Sequence, residues 1–109
     1  MDVPFSLERS ERDGLTVLAL HGELDLSASP ELITVLDAVS GEARRVVLDL
    51  RGLAFMDSTG LAVILRYHQR AKDGRFDLVV VRGPEAVDRV FRVTQTDSLL
   101  EMLDVPPNN

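Results

Sequence analysis

The sequence predicts an α/β domain built on a mixed, mostly parallel sheet of four strands. Three observations predict it. Short apolar runs rich in β-branched residues recur along the chain (LTVLAL, VVLDL and FDLVVV), with the length and composition of buried strands. Between them lie segments whose apolar residues repeat every three and four positions, the period of an amphipathic helix. The strand–helix alternation after residue 15 implies parallel pairing through right-handed crossovers, and a hairpin before it adds one antiparallel edge.

Residues 4–11 read as an edge strand, with Phe5 and Leu7 on one face. Asp13-Gly14 is a hairpin-turn pair. In residues 15–21, Leu15, Val17 and Ala19 share one face while Leu18 and Leu20 share the other. A strand apolar on both faces belongs in the centre of a sheet. Gly22-Glu23-Leu24-Asp25 is read as the break that ends it. Ser29 before Pro30 suits a helix cap followed by proline at the first helical position. The apolar stripe of that helix is Leu32, Val35, Leu36 and Val39, and Ser40-Gly41 closes it.

Residues 46–50 are the third strand, followed by a short loop and a polar turn, Asp57-Ser58-Thr59-Gly60. The helix beyond the turn carries Leu61, Ile64, Leu65 and His68 on one face and stops at Asp73-Gly74. Residues 76–81 are the fourth strand. A short helix from about Glu85 presents Val87, Val90 and Phe91, and Thr96 or Asp97 caps a final turn or helix holding Leu99, Leu100 and Leu103. Residues 104–109 are expected to be a flexible tail.

A length of 109 residues suits a single domain, spanning 1–109, with one core. A hydrophobic fraction of 45% with 28% charged residues argues for a globular chain and against disorder. The net charge of −6 opposes nucleic acid or an anionic membrane as partner, because both require a basic surface. With no cysteine there is no disulfide framework and no thiolate metal site. No apolar run has the length of a membrane span, and the N-terminal residues lack the pattern of a secretion signal, so a cytoplasmic location without membrane insertion is expected.

The polar turn carries the chemistry. Asp57 or Ser58 can cap the following helix, because a side-chain oxygen there accepts from the free amides of the first turn. A hydroxyl at this turn also sits at the carboxyl end of a parallel strand, where α/β proteins place their functional groups. A serine hydrolase is disfavoured. The nucleophile elbow has the pattern G-x-S-x-G, whereas this turn reads M-D-S-T-G. The available bases are His21 and His68, with no third residue to orient either. Asp49 inside an apolar strand is unusual; it either bonds loop amides or lies on the less buried face.

The run FMDSTGLAVIL resembles the signature of the STAS domain, in particular the anti-sigma factor antagonist type. The five residues from Asp57 to Leu61 match the family's D-S-[ST]-G-L turn, and Gly22-Glu23-Leu24-Asp25 resembles its G-E-[LF]-D element. The resemblance covers roughly residues 5–103. It implies an α/β fold of four strands, with the helices mainly on one face of the mostly parallel sheet. It also implies that Ser58 is a phosphoacceptor and that Glu23, Asp25, Ser27, Asp57, Thr59 and Gly60 contribute to a partner-binding surface. The implied partner is an anti-sigma factor that is also a serine kinase. It is bound by the unphosphorylated chain and released when Ser58 is phosphorylated, and a PP2C-type phosphatase restores the binding form. The ATP site would belong to the kinase, so no cofactor and no enzymatic activity are expected of this chain. The alternatives are a STAS interaction subunit of a transport complex or stress-sensing scaffold and, more distantly, the hydrolase. For Glu23 and Asp25 a solvated acidic loop is the competing reading. Thr59 is a candidate minor acceptor beside Ser58, with a structural role at the first helical turn as the stronger reading. A phosphate at Ser58 is expected to be tolerated by the fold, because helix N-termini favour anions.

Overall fold

A computed structural model describes residues 3–74 and 76–107. The chain runs β1 (Ser6–Arg12), β2 (Leu15–Leu24), α1 (Ser29–Ser40), β3 (Arg45–Met56), α2 (Ser58–Lys72), β4 (Asp77–Val81), α3 (Glu85–Val93), a 3-10 turn (Thr96–Ser98) and β5 (Glu101–Leu103). The strands lie side by side in chain order, β1 to β5. β1 pairs with β2 antiparallel, and every later pair is parallel. Because each parallel step advances in the same direction, right-handed crossovers put all three helices on one face.

The core follows from that geometry. Leu18, Leu20, Val46, Leu48, Leu50, Leu78 and Val80 point from the sheet toward Leu32, Leu36, Val39, Ile64, Tyr67, Val87 and Phe91 of the helices. The opposite face holds a smaller apolar cluster of Leu15, Val47, Val79 and Val81. The α/β class, the mixed sheet and the helix layer on one face are as expected from the sequence.

Several elements differ from expectation. Among the described residues the sheet has five strands, one more than the four anticipated: Leu103, read as part of a final turn or helix, pairs instead with Val81, and Met102 with Val80. The reason is the exposed edge of β4, whose backbone groups need partners. A salt bridge of 3.6 Å from Arg45 to Glu101 spans the same sheet. β2 does not break at Gly22 but continues to Leu24, with register shifts between Ala19 and His21 and between Gly22 and Glu23. Gly22 has φ 83°, a left-handed conformation that supplies a bulge rather than a stop. The presumed loop after residue 50 is likewise strand, paired with the extended β2 as far as Met56. The first helix is capped at Ala28, not Ser29. Asp25 accepts from the Ala28 amide at 3.1 Å, and the Ser29 hydroxyl donates back to the Asp25 carbonyl at 2.9 Å. The hairpin is as expected, with Asp13 and Gly14 both at positive φ. Of the expected tail, Asn108 and Asn109 lie outside the described residues.

Candidate functional site

The carboxyl ends of β2 and β3 bring two segments together: the loop leading into α1 and the turn that opens α2. Two strands paired in parallel must release their chains at the same sheet edge. The Asp57 amide donates to the Leu24 carbonyl at 3.2 Å, which joins the two segments directly. Beneath them Gly60 is buried, and a Cβ there would come within 2.8 Å of Leu24 Cγ and 2.9 Å of Met56 Cγ. Gly60 is therefore a packing residue that lets the start of α2 press onto the ends of both strands.

Asp57 is the N-cap. Its backbone is extended, and its Oδ1 accepts from the Thr59 amide at 2.9 Å and the Gly60 amide at 3.2 Å. The same oxygen accepts from the Thr59 hydroxyl. Burial pushes the Asp57 carboxyl pKa up. The Thr59 hydroxyl and the amides of Gly60, Thr59 and Leu26 outweigh that effect and hold it below the ordinary carboxylate value.

Ser58 is the first residue of α2 and is exposed. Among the described residues its hydroxyl has no hydrogen-bond partner. Of the two hydroxyls in the turn, then, Ser58 is accessible while Thr59 is half-buried and bonded. Asp57 Oδ1 already takes the Thr59 and Gly60 amides, so a phosphate on Ser58 would be a second anion at this helix start.

The remaining predicted residues sit around this turn. Glu23 is half-buried at the end of β2, paired in register with Phe55. The Asp25 carboxylate accepts from the Ser27 hydroxyl at 2.8 Å as well as from the Ala28 amide, so both residues shape the entry to α1. Two apolar residues were not among the predicted set as partner contacts. Leu26 is 71% exposed and Phe55 is 46% exposed. A leucine inside the otherwise polar loop D-L-S is the signal that could have singled out Leu26.

The hydrolase reading finds no support in this geometry. His21 lies on the sheet with Nε2 3.3 Å from Glu8 Oε1, and His68 is ten residues along α2 from Ser58. Among the described residues neither histidine bonds to Ser58. A cavity of 630 Å³ lies at the opposite end of the sheet, lined by Arg12, Asp13, Gly14 and Arg44 among others. Asp49 faces away from the helices and is nearly buried, and its carboxylate is taken up by the Arg51 amide and guanidinium at 2.9–3.1 Å. No helix among the described residues is long and apolar enough to cross a membrane.

A sheet advancing in one direction under three helices, with a D-S-T-G turn at its carboxyl edge, defines a STAS domain. The chain belongs to that family: the STAS domain model matches residues 6–105. Its homologues are anti-sigma factor antagonists. The anti-sigma-B factor antagonist of Staphylococcus aureus is 24% identical over 98 residues, which is 89% of this chain and 91% of that protein. The crystal structure of an anti-sigma factor antagonist from Mycobacterium paratuberculosis superposes with a TM-score of 0.84 at 25% identity, covering 94% of this chain and 87% of that one. The Bacillus cell fate determinant SpoIIAA in its phosphorylated form shares the fold, with a TM-score of 0.69 at 20% identity over 91% of this chain and 90% of that one. A non-enzymatic regulator accords with these relatives.

Proposed function

We propose that this chain is an anti-sigma factor antagonist that acts in the cytoplasm as a single STAS domain. In this reading its unphosphorylated form binds an anti-sigma factor that is also a serine kinase, and phosphorylation of Ser58 ends the complex. The observation that carries the reading is Ser58 itself: an exposed hydroxyl, unbonded among the described residues, at the edge where β2 and β3 end, an edge that also carries the exposed apolar residues Leu26 and Phe55. The names of the relatives, and the existence of a phosphorylated form of one of them, support it.

The chemistry is that of a binding surface switched by charge. Leu26 and Phe55 offer apolar area that gains free energy when covered. Glu23, Asp25 and Asp57 place negative charge around that area, suited to basic groups on the partner. Ser27 and Thr59 add hydroxyls at the rim, and Gly60 lets the turn lie flat against the strand ends. A phosphate on Ser58 adds roughly −1.5 to −2 charges at the centre of this surface. Asp57 already holds the Thr59 and Gly60 amides, so covering this surface would require the partner to desolvate most of the added charge. A PP2C-type phosphatase would reverse the modification.

The test is to mix the chain with ATP and candidate anti-sigma factor kinases and read the intact mass. One added phosphate on the parent and none on Ser58→Ala supports the reading. A parent left unmodified by every such kinase, or a Ser58→Ala chain modified as fast as the parent, counts against it.

A further inference from the structure

We infer that Asp57 selects the phosphoacceptor, leaving Ser58 reactive and holding the neighbouring Thr59 hydroxyl out of the reaction. This inference rests on the proposed phosphorylation at this turn and adds to it the residue that decides which hydroxyl is used.

The turn offers a kinase two hydroxyls on adjacent residues, and nothing in their chemistry separates a serine from a threonine strongly. Their surroundings do. The Thr59 hydroxyl donates its proton to Asp57 Oδ1, the oxygen that also receives the Thr59 and Gly60 amides. That oxygen is fixed on the helix start by backbone groups, so it holds the threonine side chain in one position. Thr59 is also half-buried, whereas Ser58 is exposed.

In phosphoryl transfer from ATP, the acceptor oxygen forms a bond to the γ-phosphorus. The bond from that phosphorus to the β,γ-bridging oxygen breaks, and ADP leaves with the electron pair. The acceptor's proton passes to a base of the kinase. Ser58 can turn its oxygen to the phosphorus and its proton to that base. Thr59 must first break its bond to Asp57 and expose an oxygen that now lies beside a carboxylate, which repels the incoming triphosphate. Asp57 is thus a positioning residue: it acts through Thr59 and the helix start and takes no part in the transfer itself.

The experiment uses the kinase that phosphorylates the parent chain in the intact-mass assay, and maps the modified residue by fragmentation. In a Ser58→Ala background, Asp57→Gly removes the carboxylate while keeping a residue well tolerated at an N-cap and adding no new hydroxyl. Asp57→Asn keeps an oxygen that can accept from Thr59. The inference expects Ser58→Ala to remain unmodified, Asp57→Gly/Ser58→Ala to gain phosphate on Thr59 at least about tenfold faster (a lowering of the barrier by about 1.4 kcal/mol), and Asp57→Asn/Ser58→Ala to stay blocked. It is overturned if Thr59 is modified in Ser58→Ala with Asp57 intact. It is equally overturned if Asp57→Gly still accepts phosphate on Ser58 while the double variant leaves Thr59 bare. The opposite role, with Asp57 activating Thr59 as a base, would appear as Thr59 phosphate in the parent that vanishes in Asp57→Gly. A second arm needs no kinase. Thr59→Val removes the hydroxyl donor, so the Asp57 carboxyl followed by carbon-detected NMR must titrate at higher pH than in the parent. An unchanged titration means the hydroxyl is not held, and it overturns the inference even if the phosphorylation reading itself fails.

Discussion

Asp57 is a short side chain that completes a helix start, and its titration reports how well it does so. Burial favours its neutral form, but the Thr59 hydroxyl and three amides favour the carboxylate and prevail. A folded-state pKa below the unfolded value of about 4 means that the group contributes stability above that pH. The contribution is lost as pH falls through the lower, folded value. Urea melts between pH 6 and pH 3 should therefore show stability declining below about pH 4, and Asp57→Asn should flatten part of that decline. Asp37 is held low by the Tyr67 hydroxyl and then Arg70, Asp49 by Arg51 against the opposing effect of burial, and Glu85 by Arg92, and these three leave a residual acid dependence in the variant. An unaltered slope would mean that the Asp57 carboxylate is not bonded in solution.

At the scale of elements, the start of α2 depends on the absence of a side chain at residue 60. Gly60→Ala would drive a methyl against Leu24 Cγ and Met56 Cγ, mid-chain atoms of two buried residues. Overpacking of this kind costs about 1–3 kcal/mol, and chemical denaturation should register that loss. A change within error would mean that the two strand ends can yield. Element types were largely legible in the sequence, because periodicity and turn pairs report local geometry. The strand ends were not. Gly22 and Gly52 look like breakers, yet each makes room inside the sheet: a Cβ on Gly22 would meet the Pro4 carbonyl at 2.0 Å, and one on Gly52 would meet the His21 ring at 2.2 Å. Glycine as a site of close approach and glycine as a stop look identical in one dimension. β5 is three residues long and owes its form to the edge of β4, a tertiary cause invisible locally. Tyr67 was missed for a related reason. The stripe read through Leu61, Ile64, Leu65 and His68 lies slightly off the true buried face, which runs through Gly60, Leu61, Val63, Ile64 and Tyr67. Tyr67 is wholly buried with its hydroxyl donating to Asp37 on α1, and Arg70 lies 4.7 Å over its ring.

For the molecule as a whole, the sheet order concentrates function at one edge. Strands paired in parallel deliver the loop after β2 and the turn after β3 to the same end, and the Asp57–Leu24 bond holds them together. The site was legible as residues, from the D-S-T-G turn and the G-E-L-D element. The exposure of Leu26 was not, since it is decided by the fold. If this edge docks the partner, Leu26→Ala should leave stability within about 0.5 kcal/mol, because Leu26 is mostly exposed. It should weaken partner binding by more than about 1 kcal/mol, as truncation of an apolar anchor does. Titration calorimetry and a denaturation curve on the same variant check both halves. Equal affinity would move the docking surface away from this loop.

The most direct test of whether a charge on Ser58 breaks the complex is the affinity of one anti-sigma partner for two forms of this chain. The chain unmodified and the chain phosphorylated to completion on Ser58 would be titrated into that partner without ATP. Burying an uncompensated anion at an interface costs roughly 2–5 kcal/mol. At about 1.4 kcal/mol per tenfold, the phosphorylated chain should bind at least about 30-fold more weakly. Its near-native melting temperature would show that the loss is at the interface and not in the fold. Equal affinities for the two forms would mean that charge on Ser58 does not control the complex.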